Sequence, residues 1–441
     1  MEKNLCWSKS ATILSIFIIA GLIAVYLLVR STQMKQQFLP KPTIIYFADN
    51  ISPAHQKLIE KFNQEFKGKI QVVPVNLPFT KFSTNERKEL LARSLRSKSD
   101  RIDVFSVDLI WVPRFARWAE TLDTFLAREL STEVISYALK ACYYDNKLVA
   151  SPLYIDVGLM YYRKDLVKQL PHAEEIIQKL KNSITWEEFI ELSRQMPYNS
   201  QGYYLFPANN YEGLICSFVE LLWEENKLMI EGDSVNLNNP VARRALQFLV
   251  DLVHRYRITP PIVTGFDEYK SYLYALQNDV PFLRGWPGFK KHYRNIIADS
   301  TKIDLYDVAA LPHFANRKAV NVFGGWNLMV SRSSAHKKEA LEFLKFVLRK
   351  DSQEILYEYG GYIPVAKAVY RDSVFLKKNP QLKYYRKLLD RGFHRPYMQD
   401  YTKISDVISY YLHLAIKGDM PVSQALSLAT KTINEKKVLI K

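Results

Sequence analysis

The sequence predicts an α/β protein: a parallel sheet with helices on its faces, in more than one lobe, behind a membrane-spanning helix. Three observations predict it. Residues 43–112 alternate strand, helix, strand, helix, strand, the order that lays parallel strands side by side with helices across them. The 441 residues exceed what one simple core accommodates. Residues 11–29, "ATILSIFIIAGLIAVYLLV", form an uncharged apolar run of bilayer-spanning length.

The elements follow in order. The apolar run has Lys3 and Lys9 before it and Arg30 and Lys35 after it, so flanking charge alone does not orient it. It ends Tyr-Leu-Leu-Val-Arg, not in the small residues of a cleavage site, and Cys6 precedes the apolar core, so the run reads as an uncleaved signal anchor. Residues 1–10 flank it, and 30–42, "RSTQMKQQFLPKP", form a polar tether. "TIIYFAD" (43–49) is a strand. "SPAHQKLIEKFNQEF" starts a helix with Ser52 as N-cap and Pro53 in the first turn, and Leu58, Ile59, Phe62 and Phe66 keep helical spacing. "KIQVVPVNL" is a strand, "STNERKELLARSLRS" a capped helix, and "IDVFSVDLIWV" a third strand. "KLVASPLYIDVGLMYYRKDLV" predicts two short strands and a helix start. Thr185 and Glu188 in "TWEEF" have the spacing of a capping box. Asn239 and Pro240 open a further helix, "YDVAALPHF" is a strand, "AHKKEALEFLKFVLR" is an amphipathic helix, and nearly everything after 373 reads as helical.

Composition narrows the function. Apolar residues are 48% and charged residues 24%, the balance of a globular chain. Aromatics reach 13%, with 28 Tyr and 7 Trp, which supplies amphipathic surface. The formal charge is +16, but the basic residues are scattered among acids, as in "KKEALEFLKFVLRKDSQE", and no zinc-finger, RRM-like or basic-arm pattern occurs. Proximity to anionic lipid explains the charge more simply than nucleic acid. The cysteines are Cys6, Cys142 and Cys216, with no CxxC, so neither metal nor redox chemistry is supported. Cys142 and Cys216 read as free buried thiols, pairing being the alternative in an exported chain.

Open α/β sheets place ligands beyond the carboxyl ends of their strands. Aromatics recur there beside carboxylates or glycines: Asp108 and Trp111 in "SVDLIWVP", Tyr154 and Asp156 in "PLYIDVG", Trp286 in "FLRGWPGF", and Gly324 with Trp326 in "VFGGWNLMVS". Each has a plainer reading: a tryptophan is usually core, and an aspartate after a strand is as often a helix cap. Together they suit carbohydrate. Rings cover the C–H face of a sugar, carboxylates and guanidiniums pair with vicinal hydroxyls, and glycines leave room for close approach.

These residues carry a resemblance. "SLRSKSDRIDVFSVDLIWVPRFARWAETLD" (94–123), "ASPLYIDVGLMYYRKDL" (150–166), "TWEEF", "FLRGWPG", "FGGWNLMVSRSSAHKKEALEFLKFV" (323–347), "GGYIPVAKAVYRD" (360–372), "RPYMQDYTKISDVI" and "GDMPVSQALSLATKTIN" resemble, in order, the extracellular solute-binding proteins of sugar ABC transporters, in the trehalose/maltose-binding branch. The resemblance implies a two-lobe periplasmic-binding-protein-like fold (type II, maltose-binding-like) that closes at a hinge. Lobe 1 would comprise 43–151 and 312–368, and lobe 2 would comprise 152–311 and 369–441, with crossovers near 150–154, 309–313 and 367–372. It implies ligand contacts at Arg87, Asp108, Tyr154, Asp156, Trp286, Gly324, Trp326 and Arg395, with Glu212 and Trp111 as secondary candidates. The chain departs from the family in its retained anchor and in offering only Asp49 as the acidic residue after the first strand.

The implied function is the extracytoplasmic carbohydrate-binding component of an ABC sugar importer, taking a di- or oligosaccharide and partnering permease subunits, held to the cell membrane by the N-terminal helix. No cofactor, metal or nucleic acid is implied. Two alternatives remain: a tethered sugar sensor serving a membrane partner, and a glycan-cleaving enzyme using Asp108 and Asp156 as its carboxylate pair. No G-x-S-x-G, H-E-x-x-H, P-loop or dinucleotide fingerprint suggests other chemistry.

Overall fold

The computed structural model describes residues 18–28, 30 and 41–435, apart from 79–80, 83, 197, 199, 226–228, 232–233 and 295–300. Two sheets organise the chain. The larger begins with β1 (Thr43–Asp49), β2 (Ile70–Asn76) and β3 (Val104–Asp108), with β1 central and parallel to both. The helices between them are α1 (Pro53–Glu65) and α2 (Thr84–Arg96). This is the strand–helix alternation that the sequence predicts. The Ser52 hydroxyl accepts from the His55 amide, closing a capping box at α1, while Ser83, a capping candidate for α2, lies outside the described residues.

The parallel arrangement stops there. The strand β4 (Ser151–Val157) is followed, after Gly158 alone, by β5 (Leu159–Arg163). β5 belongs to the smaller sheet with β6 (Tyr204–Leu205), β7 (Phe282–Gly285) and β8 (Tyr306–Ala309), in the order β8-β5-β7-β6. The chain then returns: β9 (Asn321–Val330) runs antiparallel to both β3 and β4 in the larger sheet. A short β10 (Gly392–Phe393) lies parallel to the start of β9. The first passage between sheets therefore falls at Gly158, beyond the expected 150–154, because β4 keeps its pairing with β9 through Val157. The return lies between Ala309 and Asn321, and the C-terminal region touches both sides: β10 pairs with β9, while α6 (Tyr401–Lys417) packs on α4 (Glu212–Trp223) and α5 (Pro240–His254).

The core of the larger sheet is aromatic. Phe62 meets Phe343 and Phe346 edge-on at 5.2 and 5.1 Å, and Phe47 packs on Phe343 at 5.4 Å. Each such ring withdrawn from water contributes about 1.5–3 kcal/mol. In the smaller sheet Phe189 plays this part, packing on Phe282 and Tyr203, and its helix α3 (Trp186–Gln195) opens on the predicted Thr185–Glu188 capping box.

The signal-anchor run is described only in part. Residues 18–28 are helical, and Ile18, Leu22 and Leu28 are 56%, 65% and 66% exposed. Residues 11–17 and 29, and 31–40 of the tether, lie outside the described residues, as do 1–10 with Cys6. Among the described residues no helix is long and apolar enough to cross a membrane, so the membrane span is not established by the structure. Cys142 and Cys216 are both buried and free.

Candidate functional site

A cavity of about 530 Å³ is walled by residues of both sheets. Its larger-sheet wall is built by register. Trp326 on β9 lies opposite Asp108 on β3 and opposite Tyr154 on β4, and Gly324 lies opposite Asp156. A register shift between Trp326 and Asn327 interrupts the ladder there. The end of β3 and the paired middles of β4 and β9 thus bring Asp108, Tyr154, Asp156, Gly324 and Trp326 to one surface. The opposite wall carries Trp286, just after β7, and Glu212, the first residue of α4.

Arg395 joins the walls. Its Nη1 donates to Glu212 Oε1 at 2.8 Å and its Nη2 to Asp108 Oδ1 at 3.3 Å, and Tyr401 donates its hydroxyl to the same Glu212 oxygen at 2.8 Å. Asp108 Oδ1 also accepts from the Ile110 amide at 3.1 Å, so this aspartate is at once a helix cap and a wall residue. Burial raises the Asp108 and Glu212 carboxyls above their ordinary range, against the pull of Arg395. Among the described residues Asp156 has no such cation. Its Oδ1 is buried without a hydrogen-bond partner, and burial, with Asp108 adding repulsion, pushes its carboxyl well above the usual aspartate range. An uncompensated carboxyl facing a cavity is suited to hydroxyl donors of a ligand.

Both tryptophans are held from behind by arginines. The Arg87 guanidinium carbon lies 4.6 Å from the Trp326 ring centroid, and that of Arg284 lies 4.7 Å from Trp286. Trp286 Nε1 donates to Glu268 Oε1 at 3.1 Å, its amide donates to the Tyr272 hydroxyl at 2.8 Å, and its carbonyl accepts from Tyr161 at 2.9 Å. Such rings are fixed platforms, and both line the cavity.

Eight of the ten sequence candidates line this cavity: Asp108, Tyr154, Asp156, Glu212, Trp286, Gly324, Trp326 and Arg395. Arg87 and Trp111 do not. Arg87 is buried at 3% exposure, its Nη2 donates to Asp49 Oδ1 at 3.2 Å, and its guanidinium lies over the Trp326 ring. Trp111 is likewise buried and meets Trp326 edge-on at 5.4 Å. Both pack on a wall residue and lie outside the cavity lining. Asp49 is not at the cavity surface either, being paired with Arg87 and 3.7 Å from His55 Nε2.

The glycines also need correction. A Cβ on Gly324 would lie 2.8 Å from the Trp286 ring, and one on Gly325, at φ +128°, would lie 2.6 Å from the Tyr154 carbonyl oxygen. The space they leave is taken by a side chain from the opposite wall and by the neighbouring strand, not held open for a ligand.

Sequence reasoning missed Tyr211, Glu268, Tyr272, His292 and Tyr362. Tyr362 stacks on Tyr154 at 4.1 Å and 18°, and His292 meets Tyr362 edge-on. Burial lowers the His292 imidazole to about 4. Only Tyr362, within "GGYIPV", had a local signal. Among the described residues no group of His, Cys, Asp and Glu is placed to hold a metal ion.

Residues 48–354 match the family described as bacterial extracellular solute-binding protein. The chain belongs to that family. Its members are binding proteins rather than enzymes, and the glycan-cleaving alternative falls away on that ground. A protein of Deinococcus radiodurans named "Probable ABC transporter-binding protein" is 24% identical over 342 residues, covering 74% of this chain and 78% of the relative. Among solved structures, maltose-bound MalE3 of T. maritima matches with TM-score 0.78 and 25% identity, covering 89% of this chain and all of that one. A solute-binding protein of Thermotoga lettingae bound with α-D-tagatose matches with TM-score 0.76 and 20% identity, over 90% of this chain and 99% of that one. The two-lobe, maltose-binding-like fold and the extracytoplasmic solute-binding class of this family member follow from these matches.

Proposed function

We propose that this family member is the carbohydrate-binding component of an ABC importer, taking a di- or oligosaccharide between its lobes and closing on it. The observation that carries the reading is the paired platform: Trp326 and Trp286, each backed by a buried arginine, face one cavity from different sheets, with Asp156 unpartnered between them. Flat rings for C–H faces and carboxyls for hydroxyls are the two things a sugar ring needs. The volume lies within the range that buries small ligands. The maltose-bound relative supports a disaccharide, and the tagatose-bound one shows that the same fold accepts a smaller sugar.

The lobes in this reading are the larger sheet with 43–157 and most of 321–368, and the smaller sheet with 159–309 and the C-terminal helices. The N-terminal helix tethers them to the membrane. Its apolar side chains have no protein to bury them among the described residues, which favours lipid as their surroundings. That tether also favours a second reading, a sensor that reports sugar to a membrane partner. Neighbouring genes separate the two: permeases point to import, a histidine kinase to sensing.

Titration calorimetry of the soluble part against maltose, trehalose, longer α-glucans and monosaccharides tests the reading. Micromolar or tighter binding of a di- or oligosaccharide is expected. Silence toward every sugar, with heat from an amino acid or a metal salt, would overturn it.

A further inference from the structure

The passage between the sheets at Gly158 presses against a buried ion pair that also carries Trp286. Glu220, on α4, is 6% exposed and does not reach the cavity wall. Its carboxylate accepts from Nε and Nη2 of Arg284, each at 3.0 Å, and Arg284 lies over the Trp286 ring. On its other side Glu220 Oε1 accepts from the Val322 amide of β9 at 3.4 Å. Gly158 completes the set. Its N–H donates to the Val322 carbonyl at 2.9 Å, and its carbonyl accepts from Asn321 Nδ2 at 2.7 Å. A Cβ on Gly158 would lie 2.2 Å from Glu220 Oε1 and 3.1 Å from Arg284 Nη2, so only glycine lets the carboxylate abut the crossover. One side chain thus touches both the support of a cavity wall and the residue at which the chain passes from one sheet to the other.

We propose that Glu220 is a positioning residue that couples the seat of Trp286 to the crossover at Gly158, so that filling the cleft and closing the lobes become one event. The proposal rests on the reading that the cleft binds a solute and closes. A two-pronged carboxylate–guanidinium pair holds a fixed plane and orientation. A shift of Trp286 therefore either moves Arg284, and with it Glu220 and Val322, or separates the ring from its cation. Rotation at Gly158 acts on the same oxygen from the other end. Groups in one such network respond non-additively, which is the signature of coupling and not of stability alone.

The test is a cycle that needs no sugar. Hydrogen exchange of the backbone segment 318–323, which carries the Val322 amide, is measured in the parent protein, Trp286→Ala, Glu220→Gln and the double variant, with exchange in 401–417 as the control for global unfolding. Trp286→Ala is expected to speed exchange at 318–323 by about fivefold or more in the parent and by less than about twofold when Glu220 is Gln. Equal effects in both backgrounds overturn the proposal. So does no effect of Trp286→Ala in the otherwise unaltered protein, an arm that does not depend on Glu220→Gln folding. If Glu220→Gln loses its circular dichroism, Arg284→Lys, which keeps the charge and loses the fork, replaces it with the same expectation. Coupling in a protein that binds no sugar sinks the sugar reading alone, and sugar binding without coupling sinks this one alone.

Discussion

Arg87 lies over the face of Trp326, 4.6 Å from guanidinium carbon to ring centroid, while its Nη2 donates to the buried Asp49 carboxylate at 3.2 Å. A residue outside the cavity lining thereby packs on one that lines it. Replacing Arg87 with Ala is expected to weaken sugar binding by about 1–2 kcal/mol through loss of the ring's backing. It should also lower stability by about 3 kcal/mol or more, since Asp49 is left buried without its cation. Calorimetry and denaturant unfolding measure the two effects. A binding loss with unchanged stability would instead make Arg87 a direct contact.

Trp326→Ala and Trp286→Ala are each expected to cost about 1–3 kcal/mol of sugar affinity. Both rings are only partly buried, so neither substitution should unfold the protein. A collapsed melting transition in either variant would return that tryptophan to the core.

Gly324→Ala and Gly325→Ala should separate. The first sets a methyl against the Trp286 ring, which belongs to the opposite wall, so closing should suffer while the folded lobes remain. The second meets the Tyr154 carbonyl at a positive φ within one sheet, so stability should fall by about 1–3 kcal/mol. Scattering with and without sugar, beside thermal melts, checks the split.

Two buried groups give opposite pH signatures without sugar. The His292 imidazole is lowered from 6.5 to about 4, so the unfolded chain binds more protons in that window and stability is lost as pH falls through it. His292→Gln should flatten the loss between pH 6.5 and 4. The Asp156 carboxyl is raised, so the folded chain binds more protons and stability is lost as pH rises above the ordinary aspartate range. Asp156→Asn should therefore stabilise the sugar-free protein at neutral pH and lose that advantage toward pH 4. Melting temperatures across pH 4–8 decide both, and an Asp156→Asn gain that grows on acidification would contradict the assigned sign.

Much of this was legible in the sequence for a definite reason. Asp108 ends its strand, where an open α/β sheet forms its ligand surface, and Tyr154, Asp156 and Trp326, though inside strands, stand out as aromatics and a carboxylate beside glycine and are brought to Asp108 by the pairing of β9 with β3 and β4. Arg87 and Trp111 pack on Trp326 outside the cavity lining, a placement that residue type and chain position alone do not show. Tyr211 and Glu268 stand at helix starts and His292 in a short helix on the smaller sheet's side, and they reach the cavity only through the docking of the two sheets. The passage between sheets falls at Gly158 rather than at 150–154 because β4 stays paired with β9 through Val157, a pairing with a distant segment that the two-strand pattern of this stretch does not show.

The most direct measurement of the central claim is the distance between the two lobes, by pulsed electron spin resonance with one label on each, before and after addition of the tightest-binding sugar from the calorimetric panel. A single shorter distance at saturation, lost in Trp326→Ala, is the predicted result. An unchanged distance distribution at saturating sugar would contradict the claim that this cleft closes on a carbohydrate held between Trp326 and Trp286.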